Sequence, residues 1–401
     1  MEPKVRFKGF KGEWKAPSIG DVFELRNGYT PSKIVKEFWE GGTIPWFRME
    51  DIRMNGGFLK DALQHITPLA VKGAGLFEKK SIILATTATI GVHAMLIADS
   101  LANQRFTNFK VRKSLSDEYI DEFIYYSFFK IDEWSKNNTN SGGLLSVNMP
   151  LLVKQGFLTP CKKEQQAIAS YFRILDANLQ ASAKKVESLK KLKSASLVAM
   201  FPQQGETIPK VRFKGFEGEW DKQSASDLFL TIDERNRPEL PVLSACQDVR
   251  GMIPRDKIGF NISHDTSNEV TYKRVQPGQF VIHLRSFQGG FAHSSYDGII
   301  SPAYTVFDFK NKEQHDDYYW KIVFMSRSFI ERLRLITYGI RDGRSISFNE
   351  FKELSFLFPS KEEQQSIATF FRSLDRKIAL ETARLEKLKQ IKLACLDKMF
   401  V

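Results

Sequence analysis

Glu164–Met200 reads EQQAIASYFRILDANLQASAKKVESLKKLKSASLVAM, and Glu363–Met399 reads EQQSIATFFRSLDRKIALETARLEKLKQIKLACLDKM. Taken from their leading prolines, Pro160–Phe201 aligns with Pro359–Phe400 at a constant offset of 199, with 19 of 42 positions identical. No Gly or Pro occurs from Cys161 to Phe201 or from Ser360 to Val401, so the spacing predicts one long helix per copy. Apolar residues fall in heptad register at Ile168, Phe172, Leu175, Leu179, Val186 and Leu189, and again at Ile367, Phe371, Leu374, Ile378, Leu385 and Leu388. Such a seam calls for a partner helix, and two seams of matched length and register predict mutual pairing as a coiled coil. Ser360 followed by Glu363 has the pattern of a capping box at the start of the second helix. At 1.5 Å per residue each helix would run roughly 60 Å, long for a globular domain and suited to a spacer.

A second repeat organises the rest. Pro3–Trp14 reads PKVRFKGFKGEW and Pro209–Trp220 reads PKVRFKGFEGEW, differing only at Lys11 and Glu217. Near-identity across an offset of 206 residues marks a tandem duplication. The chain therefore divides into a first block (1–159, with its leading repeat 3–14), a central helix (160–201), a linker (202–208), a second block (209–358, with its repeat 209–220) and a C-terminal helix (359–401). Within the blocks, Lys15–Thr159 and Asp221–Phe358 show no resemblance to each other: two like frames hold unlike contents. Strand-like runs at Ser81–Thr87, Phe280–Leu284 and Tyr304–Phe309, helical patterns at Asp117–Trp134 and Asp317–Leu335, and Gly-bearing turns at Gly41-Gly42, Gly56-Gly57 and Gly142-Gly143 predict compact α/β or mixed α+β domains.

Composition narrows the function. A net charge of +12, from 59 basic against 47 acidic residues, favours an anionic partner, nucleic acid first among them. Cys161, Cys246 and Cys395 are scattered and odd in number, which suits a reducing cytoplasm better than a disulfide framework. The amino terminus lacks the apolar core of a signal peptide, and no window approaches 18 apolar residues, so no membrane span is expected. The six histidines show no metal-ligand spacing, Gly73-Ala74-Gly75 reads as a turn and not a phosphate loop, and the tetrapeptide of an amino-methyltransferase is missing. A nuclease-like Asp…Glu-x-Lys can be drawn through Asp61, Glu78 and Lys80, a match close to chance in a chain this rich in Lys and Glu. The 33 phenylalanines read as core residues more than as base-stacking platforms. The reading is a binder, not an enzyme, with no metal and no cofactor of its own.

Arg can donate two hydrogen bonds to a guanine edge, Gln or Asn can pair with adenine, and a Thr methyl can meet thymine, whereas Lys chiefly contacts phosphate. The candidate DNA-binding residues are therefore polar loop residues: Arg48, Lys72, Thr86, Thr87, Thr89, Gln104, Arg105 and Asn108 in the first block, and Arg285, Ser286, Gln288, His293, Arg341 and Arg344 in the second.

The duplicated frame resembles the specificity (S) subunits of type I restriction-modification systems, over essentially the whole chain. The resemblance rests on PKVRFKGFKGEW and PKVRFKGFEGEW, and on Pro160…Glu164-Gln165-Gln166-x-Ile168 with Pro359…Glu363-Gln364-Gln365-x-Ile367. Lesser likenesses lie at Ile44-Pro45-Trp46 with Asp51-Ile52, at Ser81–Gly91 with Asn103-Gln104, at Pro277–Ile282 and at Gly298–Tyr304. It implies two target recognition domains of mixed sheet and helices, separated by two long antiparallel helices in a pseudo-two-fold repeat. It implies double-stranded DNA as ligand and an assembly with two methyltransferase (M) and two restriction (R) subunits. S-adenosylmethionine, ATP and Mg would then reside on those partners. Independently, a duplicated chain whose halves pair about a two-fold axis presents two unlike readers, so the target should be bipartite and asymmetric, and the C-terminal helix should end near the amino-terminal segment. A different class of reading is a coiled-coil scaffold whose blocks bind proteins; it would show no salt-sensitive, sequence-dependent DNA affinity.

Overall fold

The computed structural model of the chain describes residues 2–140, 145–246, 251–257, 266–283, 290–336 and 346–400. They fall into two units, one of Met1–Ala183 with Ala383–Val401 and one of Lys184–Thr382. The two long helices, Lys162–Ala199 and Lys361–Met399, are each divided between them.

In the first unit five strands, Phe23–Asn27 (β1), Phe58–Leu59 (β2), Ile82–Ala85 (β3), His93–Leu96 (β4) and Phe106–Val111 (β5), form a sheet in the order β1-β5-β3-β4-β2. All neighbours are antiparallel except β4 and β2, which run parallel. A small sheet of His65–Ile66, Ile44–Phe47 and Leu101–Ala102 stands beside it. The four residues of β3 are all buried, which explains their unbroken apolar run where a half-exposed strand would alternate. One core lies between the sheet, the helix Asp121–Asn137 and the start of the first long helix. There Phe23, Phe109, Phe123, Tyr126, Phe128 and Phe172 are fully enclosed.

The second unit has six strands, Phe229–Ile232 (β6), Leu243–Cys246 (β7), Gly251–Pro254 (β8), Phe280–Ile282 (β9), Phe291–Ser294 (β10) and Thr305–Phe309 (β11), in the order β6-β11-β9-β10-β8-β7. Its first five positions repeat the topology of the first unit, including the parallel pair β10–β8. The two blocks, dissimilar in sequence, thus share one strand order. The predicted helix Asp317–Leu335 is broken into Asp317–Met325 and Arg327–Ile336. Ser326 takes an extended backbone (ψ 148°) and its hydroxyl accepts the Phe329 N–H, so it ends one helix and caps the next. In the first unit the predicted helix at Asp117 starts four residues later, at Asp121. The predicted turn Gly142-Gly143 and the strand end at Leu284 lie outside the described residues.

Within each unit the long helices run antiparallel. In the first, Phe172 meets Phe400 (5.7 Å between ring centres), Tyr171 meets Cys395 (3.4 Å) and Asp176 meets Lys392 (2.6 Å). In the second, Phe201 meets Phe371 (6.3 Å), Lys185 meets Glu381 (2.9 Å) and Lys193 pairs with Asp375. Of the seam residues, Ile168, Phe172, Leu175, Val186, Ile367, Phe371 and Leu374 are buried, and Leu179, Leu189, Ile378, Leu385 and Leu388 are half-buried. The heptad position skipped by the apolar pattern in each copy, Ser182 and Glu381, is buried as well.

The leading repeats latch onto these helices. Arg6 donates to both oxygens of Glu164 (2.7 Å each) and to Gly12 O (2.7 Å); Arg212 does the same with Glu363 (2.7 Å each) and Gly218 O (2.6 Å). Gly12 (φ 88°) and Gly218 (φ 80°) supply the left-handed backbone that turns each segment back toward its arginine. Val5 N–H donates to Lys398 O (2.9 Å) and Trp14 packs on Phe400, so the C-terminal helix does end at the amino-terminal segment. Val211 N–H to Ala199 O (2.8 Å) and Trp220 against Phe201 repeat this in the second unit. The predicted capping box is only half formed. Ser360 accepts the Glu363 N–H at 3.5 Å, but the Glu363 carboxylate is taken by Arg212.

Candidate nucleic-acid interface

Three segments leave the first unit's sheet at one end: Gly28–Thr30 after β1, Thr86–Thr89 after β3, and the turn Asn103–Arg105 before β5. Main-chain bonds knit them together. Gly28 N–H donates to Phe106 O (2.8 Å), Tyr29 N–H to Ala102 O (2.9 Å) and Thr86 N–H to Arg105 O (2.9 Å). The approach at Gly28 is so close that a Cβ would sit 2.2 Å from Asn103 O, so no side chain fits there. Asn103 receives the Arg105 N–H on its side-chain oxygen (3.0 Å) and gives its own N–H to Phe47 O (3.0 Å), which brings Arg48 alongside. Lys72 joins from a fourth segment: its N–H donates to the Tyr29 hydroxyl (2.9 Å) and its ammonium lies 4.6 Å from the Tyr29 ring centre.

Arg48, Lys72, Thr86, Thr87, Thr89, Gln104 and Arg105, remote in sequence, therefore share one rim. Lys72, Gln104 and Arg105 are exposed, Arg48, Thr87 and Thr89 half-buried. Thr86 is a root of the rim, not a tip: it is buried, and its hydroxyl joins a chain through Thr107 (3.0 Å) to Asn27 (3.0 Å). Asn108 is not on the rim. It is buried in mid-sheet with its amide donating to Ser81 Oγ (2.8 Å) and Ile82 O (3.3 Å). Sequence reasoning passed over Tyr29 and Thr30, although Thr30 donates to the Gln104 side-chain oxygen and Tyr29 carries Lys72. The signal available was Gly28 directly after the alternating run Phe23–Asn27.

In the second unit His293 lies on β10, buried, with Nε2 2.6 Å from an oxygen of Asp317 on the following helix. The pairing holds the Asp317 carboxyl below the usual carboxylate range. This is an internal tie, with a counterpart on β4, where His93 meets Asp132 at 2.6 Å. Arg285, Ser286, Gln288, Arg341 and Arg344 lie outside the described residues. Near the end of β6, Arg274 forks onto Asp297 (2.9 and 2.7 Å) and reaches Glu234 (2.9 Å), lowering both acids' pKa values. In that network the Arg274 guanidinium is paired on both sides, whereas the Arg105 guanidinium has no ion pair or hydrogen bond among the described residues.

Asp61, Glu78 and Lys80 are occupied separately, by His65, Lys110 and Asp121 respectively. Among the described residues no group of three or more His, Cys, Asp or Glu could hold a metal ion, and no helix is long and apolar enough to cross a membrane.

Over residues 11–191 and 219–390 the sequence matches the family described as the type I restriction modification DNA specificity domain. It is 44% identical over 172 residues to the type I restriction enzyme EcoprrI specificity subunit of Escherichia coli; the match spans 42% of each chain, well under half of that relative. In fold it is similar to the S subunit of a type I restriction-modification system from M. genitalium, with a TM-score of 0.59 and 15% identity over 100% of this chain and 99% of that one. A second similar fold comes from a study of complex assembly and conformational transition of the type I R-M system, with a TM-score of 0.53 and 14% identity over 97% and 98% of the two chains.

Proposed function

The chain belongs to the type I restriction-modification DNA specificity family, and from that premise we propose that it is the sequence-reading subunit of a type I complex. Each block reads one half of a bipartite, asymmetric target in double-stranded DNA, and the half-sites are separated by an unspecified gap. The block boundaries are 1–159 and 209–358. Adenine methylation and restriction are carried out by M and R subunits, which also hold S-adenosylmethionine, ATP and Mg; this chain supplies no reacting group and binds no cofactor. It works in the cytoplasm.

The observation that carries the reading is the repetition of one frame around unlike rims. Arg6–Glu164 and Arg212–Glu363 are the same latch, and the sheets share a strand order, yet an exposed Arg105 stands on one rim where the other holds the Arg274–Asp297 network. A duplicated frame suits partners present in two copies, and different rims suit two different half-sites. Mapping adenine methylation across the genome in cells with and without this chain tests it: a two-part motif should appear with the chain and vanish without it. Exchanging Lys15–Thr159 for another block should change one half of that motif. A change in both halves, or a continuous motif, overturns the reading. Leu175→Lys and Leu374→Lys, both at buried seam positions, should abolish methylation at every target.

A further inference from the structure

The loop from Thr86 to Gly91 holds an L-residue in a backbone region that favours glycine. Ala88 has φ 66° and is exposed. Left-handed backbone brings an L-residue's Cβ against its own carbonyl, and persists only where surrounding bonds over-determine it. Here they do. Ala88 N–H donates to Leu145 O (3.1 Å), Val147 N–H to Thr86 O (2.9 Å), Thr89 N–H to Thr87 O (2.9 Å) and Gly91 N–H to Ala85 O (3.2 Å), while Thr87 bridges to Ser146. Glycine would relieve the strain, and the Ala88 methyl is not needed to fill the protein's interior. Being exposed, that methyl is available to a ligand.

The neighbouring turn offers a second open group. Arg105 is exposed and its guanidinium makes no ion pair or hydrogen bond among the described residues, although its backbone is pinned on both sides by Thr86 N–H to Arg105 O and Arg105 N–H to Asn103 Oδ1. A fixed backbone under a free planar fork is the arrangement that suits recognition of a guanine edge, since little freedom is lost on binding. Lys72, exposed on the Tyr29 ring, adds a second cation on the same rim.

We propose that the Thr87–Ala88–Thr89 knuckle and Arg105 are specificity-determining residues of the first half-site. Ala88, flanked by the threonine methyls, meets the 5-methyl group of a thymine in the major groove, Arg105 donates to O6 and N7 of a nearby guanine, and Lys72 holds the adjacent phosphate. The assignment rests on the chain being a DNA reader and goes further in naming which atoms read which chemistry.

The test uses the full chain assembled with its methyltransferase subunits, once the motif is mapped. Duplexes are made with deoxyuridine in place of each thymine of the first half-site in turn, which deletes one methyl group and nothing else. The wild-type complex should methylate one such duplex several-fold more slowly, and Ala88→Gly should erase that difference while leaving the melting temperature unchanged or higher. Arg105→Ala should lower discrimination at one guanine of the same half-site by about ten-fold, with the second half-site read as before. If no deoxyuridine position matters to the wild type, or Ala88→Gly keeps the wild-type ratio, the knuckle assignment fails. Unchanged guanine preference in Arg105→Ala removes Arg105 from it. Each of these outcomes leaves a bipartite motif intact, so they are distinct from failure of the parent reading, in which the wild-type complex shows no sequence preference.

Discussion

Asp176 on the first long helix and Lys392 on the second lie 2.6 Å apart, and Asp375 and Lys193 repeat the pair with the helices exchanged. Each aspartate also accepts a tyrosine hydroxyl from the block packed beside it, Tyr126 at 2.8 Å and Tyr318 at 3.0 Å. Burial first, and the neighbouring carboxylate second, push both phenols' pKa values up, so each remains a donor. A single carboxylate thereby ties a block helix to both long helices. This accounts for two of the identities between the copies, Asp176 with Asp375 and Lys193 with Lys392.

The pair should register in a double-mutant cycle. Asp176 and Lys392 side chains are each 20% exposed, between the surface and the buried regimes. Asp176→Asn with Lys392→Met should give a coupling energy of about 1 kcal/mol. The check is urea unfolding of the two single variants, the double variant and the wild type. Zero coupling would mean that this pair adds nothing to what the seam and the other cross-helix contacts supply.

The Arg6 and Arg212 latches should matter more. Glu164 and Glu363 side chains are 1% exposed, so removing the guanidinium strands a carboxylate without solvent. Arg6→Ala should lower stability, because the Glu164 carboxylate loses both guanidinium donors at once. Arg6→Lys should recover little of it, because a lysine cannot satisfy both oxygens and Gly12 O at once. Hydrogen exchange should show the leading segment opening in either variant. Protection equal to wild type in Arg6→Lys would reduce the latch to a simple charge contact.

The frame could be read from the sequence because its contacts are made by repeated residues. Glu164 and Glu363 take the arginines, and Gln165 and Gln364 bond the backbone leading into the block helices, at Glu118 O and Ile120 N and at Gln314 O and Asp316 N. The shared strand order was invisible, since a sheet is specified by burial pattern and many apolar residues satisfy it. Ser182 and Glu381 were missed because a heptad search looks for apolar residues, whereas Glu381 enters the seam with Lys185 as its counter-ion. On the rim, residue type alone could not separate Gln104 and Arg105, which face solvent, from Asn108, which braces the sheet interior.

Gly28 gives a way to move the rim without touching a base-reading side chain. A Cβ there would come within 2.4 Å of Ala102 O as well as 2.2 Å of Asn103 O, both on the backbone that carries Gln104 and Arg105. Gly28→Ala must displace that turn, at a cost of about 1–3 kcal/mol. Methylation assays should show weakened reading of the first half-site with the second intact. Wild-type kinetics in Gly28→Ala would show that the turn is not part of the reading surface.

His315 should make the second unit sensitive to acid. Its ring stacks on Phe309 (4.7 Å between centres) and stands edge-on to Trp320 and Phe358 (5.7 and 5.3 Å). Burial, with a smaller push from Lys361, lowers its pKa from 6.5 to about 4. The sign follows from proton uptake. Above pH 7 the imidazole is neutral whether the chain is folded or not, and contributes nothing to pH dependence. As pH falls through 6.5 the unfolded chain binds a proton that the folded chain refuses, so stability drops, and it goes on dropping until the folded ring titrates near pH 4. The full loss is at most about 3 kcal/mol. Urea unfolding followed by tryptophan fluorescence at pH 7, 5.5 and 4.5 should show a falling midpoint in the wild type and a flatter one in His315→Phe, which keeps the aromatic packing and has no proton to take up. Equal slopes in the two proteins would place the acid sensitivity elsewhere.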